Sequence, residues 1–117
     1  MKNFKELRIW QKGMDIAVSS FQLTNEFPST EKFGIISQIN RAGVSIPANV
    51  AEGSSRTSEK DYGRFIEISL GSSYELETHL LIAQRLNFGN EVKLTELLDE
   101  INDEQKMLLG FLNKLSR

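Results

Sequence analysis

From Phe4 to Leu115 the apolar residues return every three or four positions and never alternate for long. That period belongs to helices and leaves no stretch for a strand. Four segments carry it. The first runs from about Phe4 to Asn25, with Leu7, Trp10, Met14, Ala17, Val18 and Phe21 on one face. Ile9, Ile16 and Leu23, seven apart, make a second stripe roughly opposite. The turn FPST, Phe27 to Thr30, interrupts the chain, because Pro28 biases its predecessor away from helical angles and Ser29 or Thr30 can cap a new helix. The second segment then presents Ile35, Ile39, Ala42, Ile46 and Val50 to a core.

A third helix is expected from Ser58, whose side chain can accept from the amide three residues on, to about Leu86. Its inward residues are Tyr62, Phe65, Ile68, Leu76, Leu80 and Ala83, and again there is a second stripe, Ile66, Leu70, Tyr74 and Leu81. Asn87 to Asn90, NFGN, is a stop signal of residues that tolerate left-handed angles. The last helix repeats Leu94, Leu98, Ile101, Gln105, Leu108, Leu112 and Leu115, a seam suited to left-handed packing. Three short connections between four amphipathic segments predict one all-α domain over residues 1–117, an antiparallel up-down-up-down four-helix bundle. The second stripes exceed what one core needs. They make Ile9, Ile16, Leu23, Ile66, Leu70, Tyr74 and Leu81 the candidates for contact with further copies.

The least regular stretch is SIPANVAEGSSR, Ser45 to Arg56. A proline inside a helix costs about 3 kcal/mol through its missing amide and its clash with the carbonyl four residues back. Here that carbonyl belongs to Gly43, which leaves the backbone room to bend, so a kinked helix ending near Gly53 is expected. On such a helix Gln38, Arg41, Ser45, Asn49, Glu52 and Arg56 fall on one narrow strip beside the core face. Ser72, Glu75 and His79 of the third segment, preceded by Gly71 and joined by Ser73, would lie opposite in an antiparallel hairpin. The expectation is a polar network of Arg41, Ser45, Asn49, Glu52, Arg56, Ser72 and Glu75, either structural or a binding site, in which partly buried charges are paired. Loss of Arg41 or Glu75 should then destabilise the fold.

Composition narrows the chemistry. The 117 residues are 26% charged and 39% apolar, an ordinary globular balance, with a net charge of −2. A general polyanion binder carries a basic excess, which is lacking here. Charge is uneven, however: Met1 to Lys60 holds eight basic and six acidic side chains, Asp61 to Arg117 six and ten. With no cysteine there is neither a disulfide nor a thiolate ligand. No apolar run reaches a membrane span, and MKNFKELRIWQKGMD lacks the apolar stretch of a secretion signal, so a cytoplasmic protein is expected. Glu75 and His79 stand four apart, but His79 is the sole histidine and a carboxylate di-metal bundle needs two Glu-x-x-His pairs. Asp99-Glu100 and Asp103-Glu104 read as a solvated face of the last helix. No catalytic residue, cofactor or metal site is expected.

Three blocks, FKELRIWQKGMDIA, FPSTEKFGIISQINRAGVSIPANVAEGSSR and FIEISLGSSYELETHLLIAQRL, resemble the bacterial four-helix-bundle family known as the 23S rRNA intervening-sequence proteins, over nearly the whole length. The resemblance implies an antiparallel bundle assembled as a ring-like homopentamer. A similar bundle serves as the accessory variability protein of reverse transcriptases in diversity-generating retroelements. Positions matching the family's motif are Arg41, Asn49, Glu52, Gly53, Arg56, Gly71, Ser72 and Glu75, whereas Asn40-Arg41-Ala42 stands where members carry RRA. Two functions emerge as expectations. One is a homo-oligomeric, non-enzymatic module that binds a protein partner. The other is RNA or DNA association through Lys2, Lys5, Arg8 and Lys12 together with Arg41, Arg56, Lys60 and Arg64.

Overall fold

The structure, a computed structural model, describes residues 3–117. Four helices make it up: α1 (Arg8–Thr24), α2 (Ile35–Ser54), α3 (Glu59–Arg85) and α4 (Glu91–Lys114). Each packs on its neighbours in sequence and α4 returns to α1, while the backbones of the diagonal pairs stay apart and meet only through side chains in the core. This closed square, 44 × 23 × 20 Å, is the expected four-helix bundle. None of the described helices is long and apolar enough to cross a membrane.

The caps set the boundaries. Ser58 Oγ accepts from the Asp61 amide at 3.1 Å and starts α3, as its sequence context predicts. Asn87 (φ 59°) and Gly89 (φ 75°) take the left-handed angles that end α3. Asn90 then caps α4 through the Lys93 amide at 3.0 Å. Glu26, in the connection after α1, accepts from the Asn90 amide at 2.9 Å and from Lys93 Nζ at 2.8 Å, which ties the two connections at that end together. The Lys93 bond holds the Glu26 carboxyl below its usual range. At the amino end the first helix is shorter than expected. Asn3 caps a single 3-10 turn, Phe4–Glu6, and Leu7 is extended before α1 begins.

Helix α2 continues unbroken through Pro47. Its buried stripe, Ile39, Ala42, Gly43, Ile46, Pro47, Val50 and Gly53, contains the expected core residues apart from the half-buried Ile35. Gly43 also lets α1 approach. A Cβ there would stand 3.1 Å from Ser20 Oγ and 3.6 Å from the Ala17 Cα, tighter at the hydroxyl than most side chains tolerate.

That close approach rotates α1 away from its expected orientation, although Ala17 is buried as expected and Leu7 and Trp10 are half-buried against the core. Ile9, Ile16 and Leu23, expected at contacts between copies, are buried inside the chain, and Met14, Val18 and Phe21, expected in the core, are 40 to 52% exposed. Gly13, Ala17, Ser20 and Thr24 share the isoleucine side. Their small volume brings α2 close enough to cover the isoleucines, which the bulkier face could not permit. In α3 the same correction applies to Ile66, which is fully buried, while Ile68 is exposed. Ser69 and Ser73 lie inside with it, because their hydroxyls bond the carbonyls of Ile46 (2.9 Å) and Leu70 (2.6 Å). Of the remaining contact candidates Leu70 is half-buried against the core, and Tyr74 and Leu81 are exposed.

The interior divides along its length. One apolar cluster includes Ile16, Leu23, Ile39, Ile46, Leu76, Leu80, Leu97 and Ile101. A second contains Ile9, Val50, Ile66, Leu108 and Leu112. Between them on the four helices stand Gly13, Pro47, Ser69 with Ser73, and Glu104 with Gln105. Glu104 was expected in solvent; it is fully buried.

Candidate functional site

The polar strip of α2 forms as a strip, because the helix runs through Pro47 and keeps the three-and-four spacing intact. Its middle meets α3. Ser45 Oγ and Ser72 Oγ share a hydrogen bond at 2.8 Å, and Asn49 Nδ2 donates to both the carbonyl and the hydroxyl of Ser45, each at 2.8 Å. All three side chains are half-buried and mutually satisfied, the condition under which polar groups are tolerated at a helix interface.

The charged members stay outside. Arg41 is exposed and donates to Gln38 Oε1 at 2.9 Å, one turn away on its own helix. Glu75 is exposed and, among the described residues, belongs to no salt bridge. Glu52 pairs with Arg56 at 3.8 Å, and Arg64 pairs with Asp61 at 3.7 Å. Arg56 also lays its guanidinium over the Phe65 ring at 4.5 Å. The expected seven-residue network is therefore a half-buried trio, Ser45, Asn49 and Ser72, flanked by solvated charges. Asn49→Ala should cost about 1 kcal/mol, the usual worth of a part-buried hydrogen bond. Arg41→Ala and Glu75→Ala should each stay within about 0.5 kcal/mol of the parent in urea unfolding, as exposed charges do.

Gly71 does not serve close packing: a Cβ there would meet nothing within 4 Å. His79 is half-buried, with Nε2 buried and without a partner. The hydroxyls of Ser45 and Ser72 are engaged with each other, and that of Ser45 also accepts from Asn49. No group of three or more His, Cys, Asp or Glu able to hold a metal occurs among the described residues.

Several of the basic side chains expected to meet nucleic acid hold acidic partners within the chain: Lys12 with Glu100, Arg56 with Glu52 and Arg64 with Asp61. Lys2 lies outside the described residues. Lys12 turns to α4, where it meets Glu100 at 2.6 Å and Asp103 at 3.9 Å, and the Glu100 bond raises its pKa. Arg41 belongs to the outer side of α2 that faces α3. Asn40, at the first position of the RRA that the resemblance implies, accepts from Thr24 Oγ1 at 3.1 Å and joins α2 to α1.

Sequence reasoning missed Glu104. It lies seven residues after Leu97, three after Ile101 and four before Leu108, a core register concealed by the acidic run around it. Burial pushes its carboxyl up to about 8, with Lys12 acting in the opposite sense.

No curated protein matches the chain. A crystal structure of a protein of unknown function from the S23 ribosomal protein family of Bacteroides thetaiotaomicron VPI-5482 superposes with a TM-score of 0.83 at 22% identity, covering 91% of this chain and 96% of that one. At that identity the likeness speaks for the fold. The model of the family described as 23S rRNA-intervening sequence protein matches residues 5–110, nearly the whole bundle, and the chain belongs to that family.

Proposed function

We propose that the chain is a non-enzymatic assembly module, a homo-oligomer that offers its outer surface to a protein partner. The observation that carries this reading is a pair of exposed apolar flanks on opposite sides of the bundle. On the α1–α2 side Met14, Val18 and Phe21 succeed each other by four and three residues, and Val44 joins them next to the Gly43 that meets Ser20. On the α3–α4 side Tyr74, Leu81 and Leu109 surround the bond from Gln105 Nε2 to Glu77 Oε1. Patches of this kind usually mark contacts.

Two unlike flanks suit a head-to-tail contact, which closes into a ring when the rotation allows. That geometry agrees with the homopentamer implied by the family resemblance. Sedimentation equilibrium of the intact chain should give a multiple of 13.3 kDa, and Val18→Asp with Phe21→Asp should reduce it to the monomer without loss of helix. A monomeric parent would overturn the reading.

The family's association with 23S rRNA intervening sequences favours a second reading, RNA or DNA binding by basic side chains brought together from several copies. Binding of structured RNA should then fall steeply between low and moderate salt. No binding at low salt removes this alternative.

A further inference from the structure

Between Ile101 and Leu108, α4 turns an ionisable side chain toward the centre of the bundle. Glu104 is 0% exposed, and neither carboxyl oxygen has a hydrogen-bond partner. It reaches the point where α1, α2 and α4 converge. A Cβ on Gly13 would stand 3.2 Å from Glu104 Oε2 and 3.3 Å from both Ile46 Cγ2 and Pro47 Cβ. The carboxyl thus fills the notch left by the missing side chain of Gly13, against an aliphatic wall.

The groups facing it offer little compensation, and Lys12 alone acts against burial. From α2 come Ile46 and Pro47, which do not titrate, and a proline has no amide to donate. From α1 comes Lys12, whose ammonium is held at the rim by Glu100 and Asp103 of α4 itself. From α3 the carboxylate of Glu77 is engaged by Gln105, the residue after Glu104. An anion in this notch would be desolvated with no donor, whereas the neutral acid loses far less.

We infer that Glu104 is a proton-controlled latch: the bundle closes on the neutral acid, and its ionisation loosens α4 from α1 and α2. Two responses are open to the ionised group. Lys12 can leave Glu100 and turn inward, or water can enter where α4 parts from α1. The seam between these helices is already incomplete, since a groove of about 500 Å³ lies along it, bounded by Asp15, Ser19, Gln22, Glu96 and Glu100. Loosening would therefore begin at α4 and leave the α2–α3 hairpin, with its Ser45, Asn49 and Ser72 trio, in place.

Carbon-13 NMR of the side-chain carboxyls in the intact chain tests the first half of this inference, and amide hydrogen exchange tests the second. Glu104 should titrate near 8, well apart from the exposed carboxyls. Between pH 6 and 9, after correction for intrinsic base catalysis, α4 amides should lose protection at least tenfold more than α2 amides. In Glu104→Gln that difference should vanish. Titration of Glu104 below pH 5.5, or equal loss from α4 in parent and variant, overturns the latch. Should Glu104→Gln not fold, the parent's titration and the contrast between its own α4 and α2 decide the matter.

Discussion

Ile46→Ala should lower the stability of the bundle by about 3–5 kcal/mol, the upper part of the range for deleting a buried isoleucine. Ile46 is fully buried, and three helices surround it. Its Cγ2 lies at the Gly13 notch of α1, and its carbonyl accepts from Ser69 Oγ of α3 at 2.9 Å. Glu104 of α4 reaches the same notch. The cost of such a deletion depends on how far the surroundings collapse, and here little can move. Pro47 is fixed by its ring, and the α1–α2 backbones already approach through Gly13 and Gly43, so most of the void would persist. Val44→Ala, two residues away but 45% exposed, should cost less than about 0.5 kcal/mol. The midpoint of urea unfolding at unchanged m reads both effects. A loss below about 1 kcal/mol for Ile46→Ala would mean that the three helices do not meet tightly around this side chain.

The sequence carried the architecture because its signals at the helix ends are local. Ser58 caps as its neighbours suggest, and NFGN ends α3 with two left-handed residues. The order of the polar strip was also legible, since a run of threes and fours around Pro47 has meaning only on a continuous helix. Which apolar stripe of α1 faces inward was not legible from hydrophobicity. Met14, Val18 and Phe21 are apolar like Ile9, Ile16 and Leu23, and period alone cannot rank the two stripes. The deciding signal was volume: Gly13, Ala17, Ser20 and Thr24 line one side of α1, and Gly43 faces them from α2. Helices that touch through small residues bury whatever lies beside those residues.

The polar strip failed differently. Its hairpin register was right, as the Ser45–Ser72 bond demonstrates, yet Arg41 and Glu75 extend into water. Short side chains such as serine and asparagine can be satisfied at an interface. A long charged one retains its hydration at little cost by pointing outward, and a buried ion pair seldom returns what desolvation takes. Glu104 is the exception to that rule, and it was overlooked because Asp99, Glu100 and Asp103 around it lie on the solvent side. Its position in the Leu97, Ile101, Leu108 register was the better guide.

The stability of the parent should fall as pH rises from about 4.5 to about 8, and Glu104→Gln should abolish that part of the dependence. The sign comes from the proton count. Burial raises the folded-state pKa from the ordinary 4.5 to about 8, so within this window the folded chain holds a proton that the unfolded chain has released. The contribution of Glu104 is therefore fully present below pH 4.5 and is lost as pH climbs through the folded value. The slope is about 1.4 kcal/mol per pH unit, and relaxation of the notch limits the total to the order of 3–5 kcal/mol. Other carboxylates act in the opposite sense at the acid end: the Lys93 bond holds Glu26 below its usual range, so its contribution is lost as pH falls. The difference between parent and variant isolates Glu104 from such terms. Urea midpoints at pH 5, 7 and 9, at one protein concentration, should bring the two together at the lowest pH and place the variant well above the parent at the highest. Parallel curves would mean that Glu104 is ionised in the folded chain, and that Lys12 or water reaches it in spite of the aliphatic wall.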